Sequence, residues 1–193
     1  MEKPYAVVFA GVPGTSKSIT AQALSCEFQL PILSSDMVRF EVKEDLRVQH
    51  LNIREDLQFA NLNQNGALTE YERRIKERRL EVLARGMPII LDSSVDRTWA
   101  EVKGQLQDHE YDWFMVDMEL TRKFLEDLYR GTGREAYIDQ LDAYCGDHQS
   151  FLDTYSADIS LEITDTTFLD RRKVAVEGLA RFLQERQLEL QAA

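Results

Sequence analysis

Apolar residues along this chain fall into short runs separated by longer stretches of mixed polarity. Tyr5–Ala10 is a continuous apolar run with two valines, which predicts a strand buried on both faces. From Lys17 to Phe28, Ile19, Ala23 and Cys26, flanked by Leu24 and Phe28, recur at helical spacing. Pro31–Ser34 predicts a second short strand, with a helix from about Asp36. Residues 50–66 are mixed and carry only a weak assignment. Thr69-Glu70-Tyr71-Glu72 has the form of a capping box, which predicts a helix from there to Arg85, stopped by Gly86 with Pro88 beyond. Pro88–Asp92 reads as an apolar strand ending in a carboxylate, followed by a helix through about His109. Trp113–Met118 reads as another strand, Thr121–Tyr129 as a short helix, and Tyr137–Leu152 as a helix after a Gly-rich stretch at Arg130–Arg134. Asp158–Thr164 alternates Ile159, Leu161 and Ile163 as a last strand, and a helix from Asp170 to about Gln187 follows. Five strands separated by helical segments require crossover connections, hence a parallel α/β sheet. In such sheets ligands sit outside the carboxyl ends of the strands, here Gly11–Ser18, Ser34–Arg39 and Asp92–Ser94.

At 193 residues the chain suits one domain over residues 1–193, able to bury roughly 70% of its unfolded surface without a disulfide or metal. The net charge of −11 argues against general binding to nucleic acid or anionic membrane, where Lys and Arg displace counterions, but leaves room for a local basic pocket. Cys26 and Cys145 form no CxxC pair and read as reduced thiols, and no apolar run approaches the ~20 residues that span a bilayer. A cytoplasmic protein with no membrane partner is expected.

The strongest motif follows the first strand. Gly11-Val12-Pro13-Gly14-Thr15-Ser16-Lys17-Ser18 matches the GxxxxGK[ST] phosphate-loop pattern at Gly11, Lys17 and Ser18, between a strand and a helix. Its free amides can cradle phosphate oxygens, Lys17 can reach the β/γ phosphates, and the Ser18 hydroxyl can ligate Mg²⁺. Gly11 through Ile19 are thus the candidate nucleotide-binding residues, with ATP and Mg²⁺ as the expected cofactors. Ser16 departs from the pattern, which has Gly before the Lys; a Cβ there crowds the phosphates or strains the backbone.

With Lys17-Ser18, Gly11-Val12-Pro13-Gly14 resembles the loop of the small P-loop kinases. Ser34-Ser35-Asp36-Met37-Val38-Arg39 resembles the Asp-x-x-Arg element of their adenylylsulfate kinase and polynucleotide 5′-kinase groups. The resemblance implies Asp36 as general base on an acceptor hydroxyl and Arg39 as a ligand of the acceptor; the local alternative is a helix N-cap paired with Arg39 one turn on. Ile89-Ile90-Leu91-Asp92-Ser93-Ser94 with Asp96-Arg97 resembles the third-strand segment of the same kinases. This implies Asp92 near the metal or substrate phosphate, where the local alternative is a loop-starting Asp bonded to nearby amides. Leu128-Tyr129-Arg130-Gly131-Thr132 resembles the lid, placing a lid segment near 130–152 and implying that Arg130 stabilises the transferring phosphoryl. Arg130 is equally read as a basic helix C-cap, which leaves Arg134 as the second candidate. The resemblance further implies a three-layer P-loop fold with a five-stranded parallel sheet in the order 2-3-1-4-5. It implies transfer of the ATP γ-phosphoryl to a hydroxyl of a small metabolite or nucleoside/nucleotide. A polynucleotide 5′-hydroxyl is the alternative acceptor, and Ser16 keeps open a nucleotide-binding regulatory module with weak turnover.

Three other features read as structural. His50, His109 and His148 show no ligand spacing. The basic run Arg73, Arg74, Lys76, Arg78 and Arg79 is interleaved with acids, with Glu70–Arg74 and Glu72–Lys76 at i,i+4, and reads as a solvated helix face. Trp99 and Trp113 fit the core or its edge.

Overall fold

A computed structural model describes residues 3–49 and 67–192. The weakly assigned stretch 50–66 lies outside them. Chain order is β1 (Tyr5–Gly11), α1 (Lys17–Phe28), β2 (Ile32–Ser34), α2 (Ser35–Gln49), α3 (Ala67–Leu83), β3 (Ile89–Ser94), α4 (Trp99–Asp108), β4 (Asp112–Glu119), α5 (Arg122–Gly131), α6 (Leu141–Tyr155), β5 (Leu161–Thr164) and α7 (Arg171–Ala192). The strands of the described residues form one parallel sheet in the order β2-β3-β1-β4-β5.

β1 is central, and all seven of its residues are buried. Strand alternation sends its side chains to two different cores. Tyr5, Val7 and Phe9 pack with Ala21 and Leu24 of α1 and with Ala175 and Leu179 of α7. Ala6, Val8 and Ala10 pack with Leu83 of α3, with Trp99, Val102 and Leu106 of α4, and with Phe151 of α6. Those two cores are why the strand reads as an unbroken apolar run, and they make the three layers of the fold.

The β1–β3 pairing is irregular at one point. Val8 pairs with Leu91, but the next residue, Phe9, pairs with Ser94. Asp92 and Ser93 are therefore extra residues on β3, and Asp92 keeps a ladder partner only in Ser34 of β2. β3 thus releases its carboxylate at the end of the strand beside the loop that follows β1.

Several element boundaries differ from the sequence expectation. α3 already includes Ala67, so Thr69 lies within the helix and caps nothing, and Glu70 turns to Arg73 and Arg74. α3 ends at Leu83, and residues 84–86 form a turn that closes on Gly86 at φ +64°. The helix expected from Tyr137 starts as a 3₁₀ segment, Glu135–Gln140, and becomes α-helical only at Leu141. β5 begins at Leu161; Asp158 precedes it in a 3₁₀ turn, where its carboxylate accepts from Trp99 Nε1 at 2.8 Å and from Lys103 at 2.7 Å. Trp99 is fully buried and meets Trp113 edge-on at 5.6 Å, in keeping with a core role.

The basic run on α3 is neutralised within the described residues. Arg73 pairs with Glu70 and Glu77, Arg74 with Glu70 and Asp45, and Arg78 with Glu41. Lys76 meets Glu101 at 3.2 Å instead of Glu72. Arg79 is an exception to the solvated face: it is buried, and its guanidinium donates to Gln105 and Glu101 of α4. Among the described residues no helix is long and apolar enough to cross a membrane.

Candidate active site

The loop between β1 and α1 is held by its carbonyl groups. Lys17 Nζ donates to Gly11 O at 2.7 Å and Val12 O at 2.8 Å. Thr15 Oγ1 also donates to Val12 O, at 3.0 Å, and Ser94 Oγ donates to Gly11 O at 3.0 Å. From the far side, Tyr129 OH donates to Pro13 O at 2.5 Å and Arg134 Nη1 to Gly14 O at 2.9 Å. Four consecutive carbonyls thus face protein donors. The amides that open α1 have no intrahelical carbonyl to bond, which leaves N–H groups at the helix start for a ligand. That polarity suits an anion.

Two glycines are required by this geometry. Gly11 has φ +113°, and a Cβ there would sit 2.8 Å from Met118 Cβ and 2.9 Å from Met118 O. Gly14 has φ +84°, and a Cβ would sit 2.9 Å from Arg134 Nη1. Ser16 occupies the N-cap of α1 in the left-handed region, φ 63° and ψ 29°, with no side-chain capping bond. This is the conformation glycine adopts freely, so the loop has the same course with Ser at some cost in strain.

Ser18 Oγ donates to Asp92 Oδ1 at 3.1 Å. Burial raises the Asp92 carboxyl above its usual range; Ser18 and Lys17 pull it back, and the nearby Asp36 carboxylate adds to the rise. Burial also lowers the Lys17 ammonium to about 8, against the pull of Asp96, Asp117 and Asp92. A hydroxyl and a carboxylate in contact are the oxygen donors Mg²⁺ takes when nucleotide phosphates and water supply the rest. Among the described residues no group of three or more His, Cys, Asp or Glu is arranged to hold a metal, so these two fit a metal shared with a ligand better than a closed protein cage.

Asp36 stands on the first turn of α2, at the carboxyl end of β2. Its Oδ1 lies 2.8 Å from Arg39 Nη1, and its side chain is 67% exposed. Arg39 also lies over the Tyr71 ring, 5.7 Å from its centre. The two candidate arginines, Arg130 and Arg134, behave differently. Arg130 stays on its own helix, 3.5 Å from Glu126 and 3.6 Å from Asp127, and is 56% exposed. Arg134, at the start of the 3₁₀ segment, has its guanidinium against the phosphate loop. The structure therefore brings Lys17, Ser18, Asp92, Asp36 and Arg39 to one end of the sheet, joins Arg134 to them, and leaves Arg130 outside.

Three buried side chains under the loop received no site role from the sequence, although Asp96 lies in the segment that resembles the third strand of the P-loop kinases. Asp96 Oδ1 accepts the Gly11 amide at 2.9 Å, and His148 lies between Asp96 and Asp117. Asp117 did leave a trace, as a carboxylate inside the otherwise apolar run Trp113–Met118. His148 left none, because its partners are 52 and 31 positions away.

No family model matches the chain, and no curated protein matches it in sequence. Solved structures do match. A Chloroflexus aurantiacus protein described as a kinase aligns with TM-score 0.60 and 18% identity, over 96% of this chain and 98% of that one. A gluconokinase from Sinorhizobium meliloti aligns over 100% of both chains with TM-score 0.53 and 15% identity. The Mycobacterium tuberculosis APS kinase, solved with AMPPNP and APS, aligns over 93% of this chain and 99% of that one with TM-score 0.56 and 15% identity. The sheet order and these alignments agree on the fold of the P-loop kinases.

Proposed function

We propose that this chain, which has the P-loop kinase fold, transfers the γ-phosphoryl of ATP to a hydroxyl of a small metabolite or nucleoside/nucleotide. The observation that carries the reading is the loop itself: four carbonyls from Gly11 to Gly14 turned onto protein donors, with Lys17 and the open end of α1 beside them. The gluconokinase and APS kinase alignments support a small acceptor.

The roles follow from position. The amides opening α1 bind phosphate oxygens, and Lys17 leaves the Gly11 and Val12 carbonyls to neutralise the β/γ phosphates. Ser18 and Asp92 would hold Mg²⁺, which would supply charge neutralisation at the phosphates. Asp36 accepts the acceptor's hydroxyl proton, and Arg39 orients Asp36 and the acceptor. Arg134, whose guanidinium bonds Gly14 O, is assigned the stabilisation of charge spreading over the phosphoryl oxygens, while Arg130 needs a change in α5 to arrive. The net charge of −11 disfavours a long polyanion and leaves a small acceptor as the better substrate class.

ATP labelled in its γ-phosphate, offered with a panel of sugar, sugar-acid, nucleoside and polynucleotide 5′-hydroxyls, tests the reading. Transfer to a small acceptor is expected, with Lys17→Ala losing ATP binding and Asp36→Ala losing turnover while keeping it. Transfer only to polynucleotide ends would move the acceptor class. Bound ATP with no transfer to any acceptor would replace the kinase by a nucleotide-binding module.

A further inference from the structure

Beneath the phosphate loop, ionisable side chains from three separate elements meet. Asp96 comes from the turn after β3, Asp117 from β4 and His148 from α6. His148 Nδ1 lies 3.5 Å from Asp96 Oδ2, and Nε2 lies 3.4 Å from Asp117 Oδ1. Asp117 is 0% exposed and His148 7%. Both oxygens of Asp117 and both ring nitrogens of His148 are buried without a well-aligned hydrogen bond, so proximity and charge, and not a formed hydrogen bond, relate the imidazole to the carboxylates. The other oxygen of Asp96 accepts the Gly11 amide. A chain of contacts therefore runs from β4 through His148 and Asp96 to the first residue of the phosphate loop.

A second pair reinforces the first. Arg97 Nε donates to Asp147 Oδ2 at 2.8 Å. Successive residues of the turn, acid then base, meet successive residues of α6, acid then base, with the charges crossed. This joins α6 to the turn that holds Gly11.

With a carboxylate at each ring nitrogen, only the imidazolium can present N–H to both. We propose that His148 is a positioning residue of the phosphate loop: as an imidazolium bridging Asp96 and Asp117, it aims Asp96 at the Gly11 amide and ties α6 to the loop. The placement of the ring between the two carboxylates is geometric; its effect on nucleotide rests on the phosphate-binding reading above.

The surrounding charges set when the bridge exists. Burial alone would discharge His148, but Asp96 and Asp117 outweigh it and the opposing Lys17, holding the imidazole above its ordinary value. Burial, Asp96, and the Glu119 and Glu162 carboxylates of β4 and β5 push Asp117 to about 6 against His148. Phe151, one turn on in α6, stacks against the ring at 12° and brings no charge. The bridge is whole between those two titrations, and is lost as pH rises through the His148 transition.

The test needs no nucleotide. In isotope-labelled protein, the Gly11 amide and the His148 ring are followed by NMR from about pH 6.5 to 9. The Gly11 resonance is expected to move with the His148 titration, to lose that step in His148→Gln, and to move at lower pH in Asp117→Asn. A Gly11 amide that stays still while His148 titrates overturns the proposal, as does a ring titrating below its ordinary value in the wild type. In a second arm, His148→Gln is expected to bind ATP about tenfold more weakly, the size of one charge-assisted bond. Unchanged affinity would also overturn it. A wild type that binds no ATP defeats the phosphate-loop reading instead, and the Gly11 shift still decides the bridge.

Discussion

The Ser18 hydroxyl donates to Asp92 Oδ1 across 3.1 Å, and that one bond joins the first turn of α1 to the end of β3. It exists because β3 slips by two residues against β1, freeing Asp92 from the central ladder. Asp92→Asn keeps an acceptor for the hydroxyl and removes the charge. The Mg²⁺ concentration giving half-maximal phosphoryl transfer is expected to rise about 10–100-fold, with the thermal midpoint little changed. A magnesium titration checks this; an unaltered requirement would take Asp92 out of the metal site.

Arg134 and Arg130 make a paired comparison. Arg134 touches the phosphate loop, so Arg134→Ala is expected to lower kcat by about 10³-fold, in the range seen when a transition-state arginine is lost. Arg130→Ala removes two long, exposed contacts on α5 and is expected to change kcat little. Steady-state rates of the two variants decide between them, and the reverse ranking would mean that α5 rearranges in the working complex.

Ser16 is held at φ 63°, where a side chain costs energy that glycine avoids. Ser16→Gly is expected to stabilise the protein by about 0.5–1 kcal/mol, after the greater freedom glycine gives the unfolded chain is counted. Denaturant midpoints measure it. A loss of stability would show that the Ser16 side chain holds a contact worth more than the strain.

Lys17 is pulled down to about 8 by burial, so between about 8 and its ordinary 10.5 the unfolded chain binds more protons than the folded one. Stability contributed through Lys17 therefore rises with pH across that window, as the cost of a buried ammonium disappears. Lys17→Met carries no such titration. Its stability relative to wild type, from denaturation at pH 7.5 and 10 (values chosen to fall on either side of the transition, about 8), is expected to be more favourable at the lower pH. A constant difference would mean that Lys17 is not desolvated in the folded protein.

Local chemistry was legible along the chain wherever it repeats at short range. The β1 run, the α1 periodicity and the GxxxxGK[ST] spacing placed the loop between a strand and a helix, and Gly11 and Gly14 do have the positive φ that the pattern needs. The misplacement of the α3 start has the same local origin: Thr69 and Glu72 have capping-box chemistry, yet Glu70 is drawn to Arg73 and Arg74 once the helix extends back to Ala67.

By itself, then, the sequence determined the alternation of elements, the two-faced burial of β1 and the phosphate loop, because each depends on side-chain period or backbone freedom within a few residues. Tertiary structure decided which of Arg130 and Arg134 meets the loop, that β3 slips to turn Asp92 onto Ser18, and that His148 stands between Asp96 and Asp117. Those outcomes depend on the approach of groups tens of positions apart, where a partner's distance and burial, and not its spacing along the chain, set charge and role.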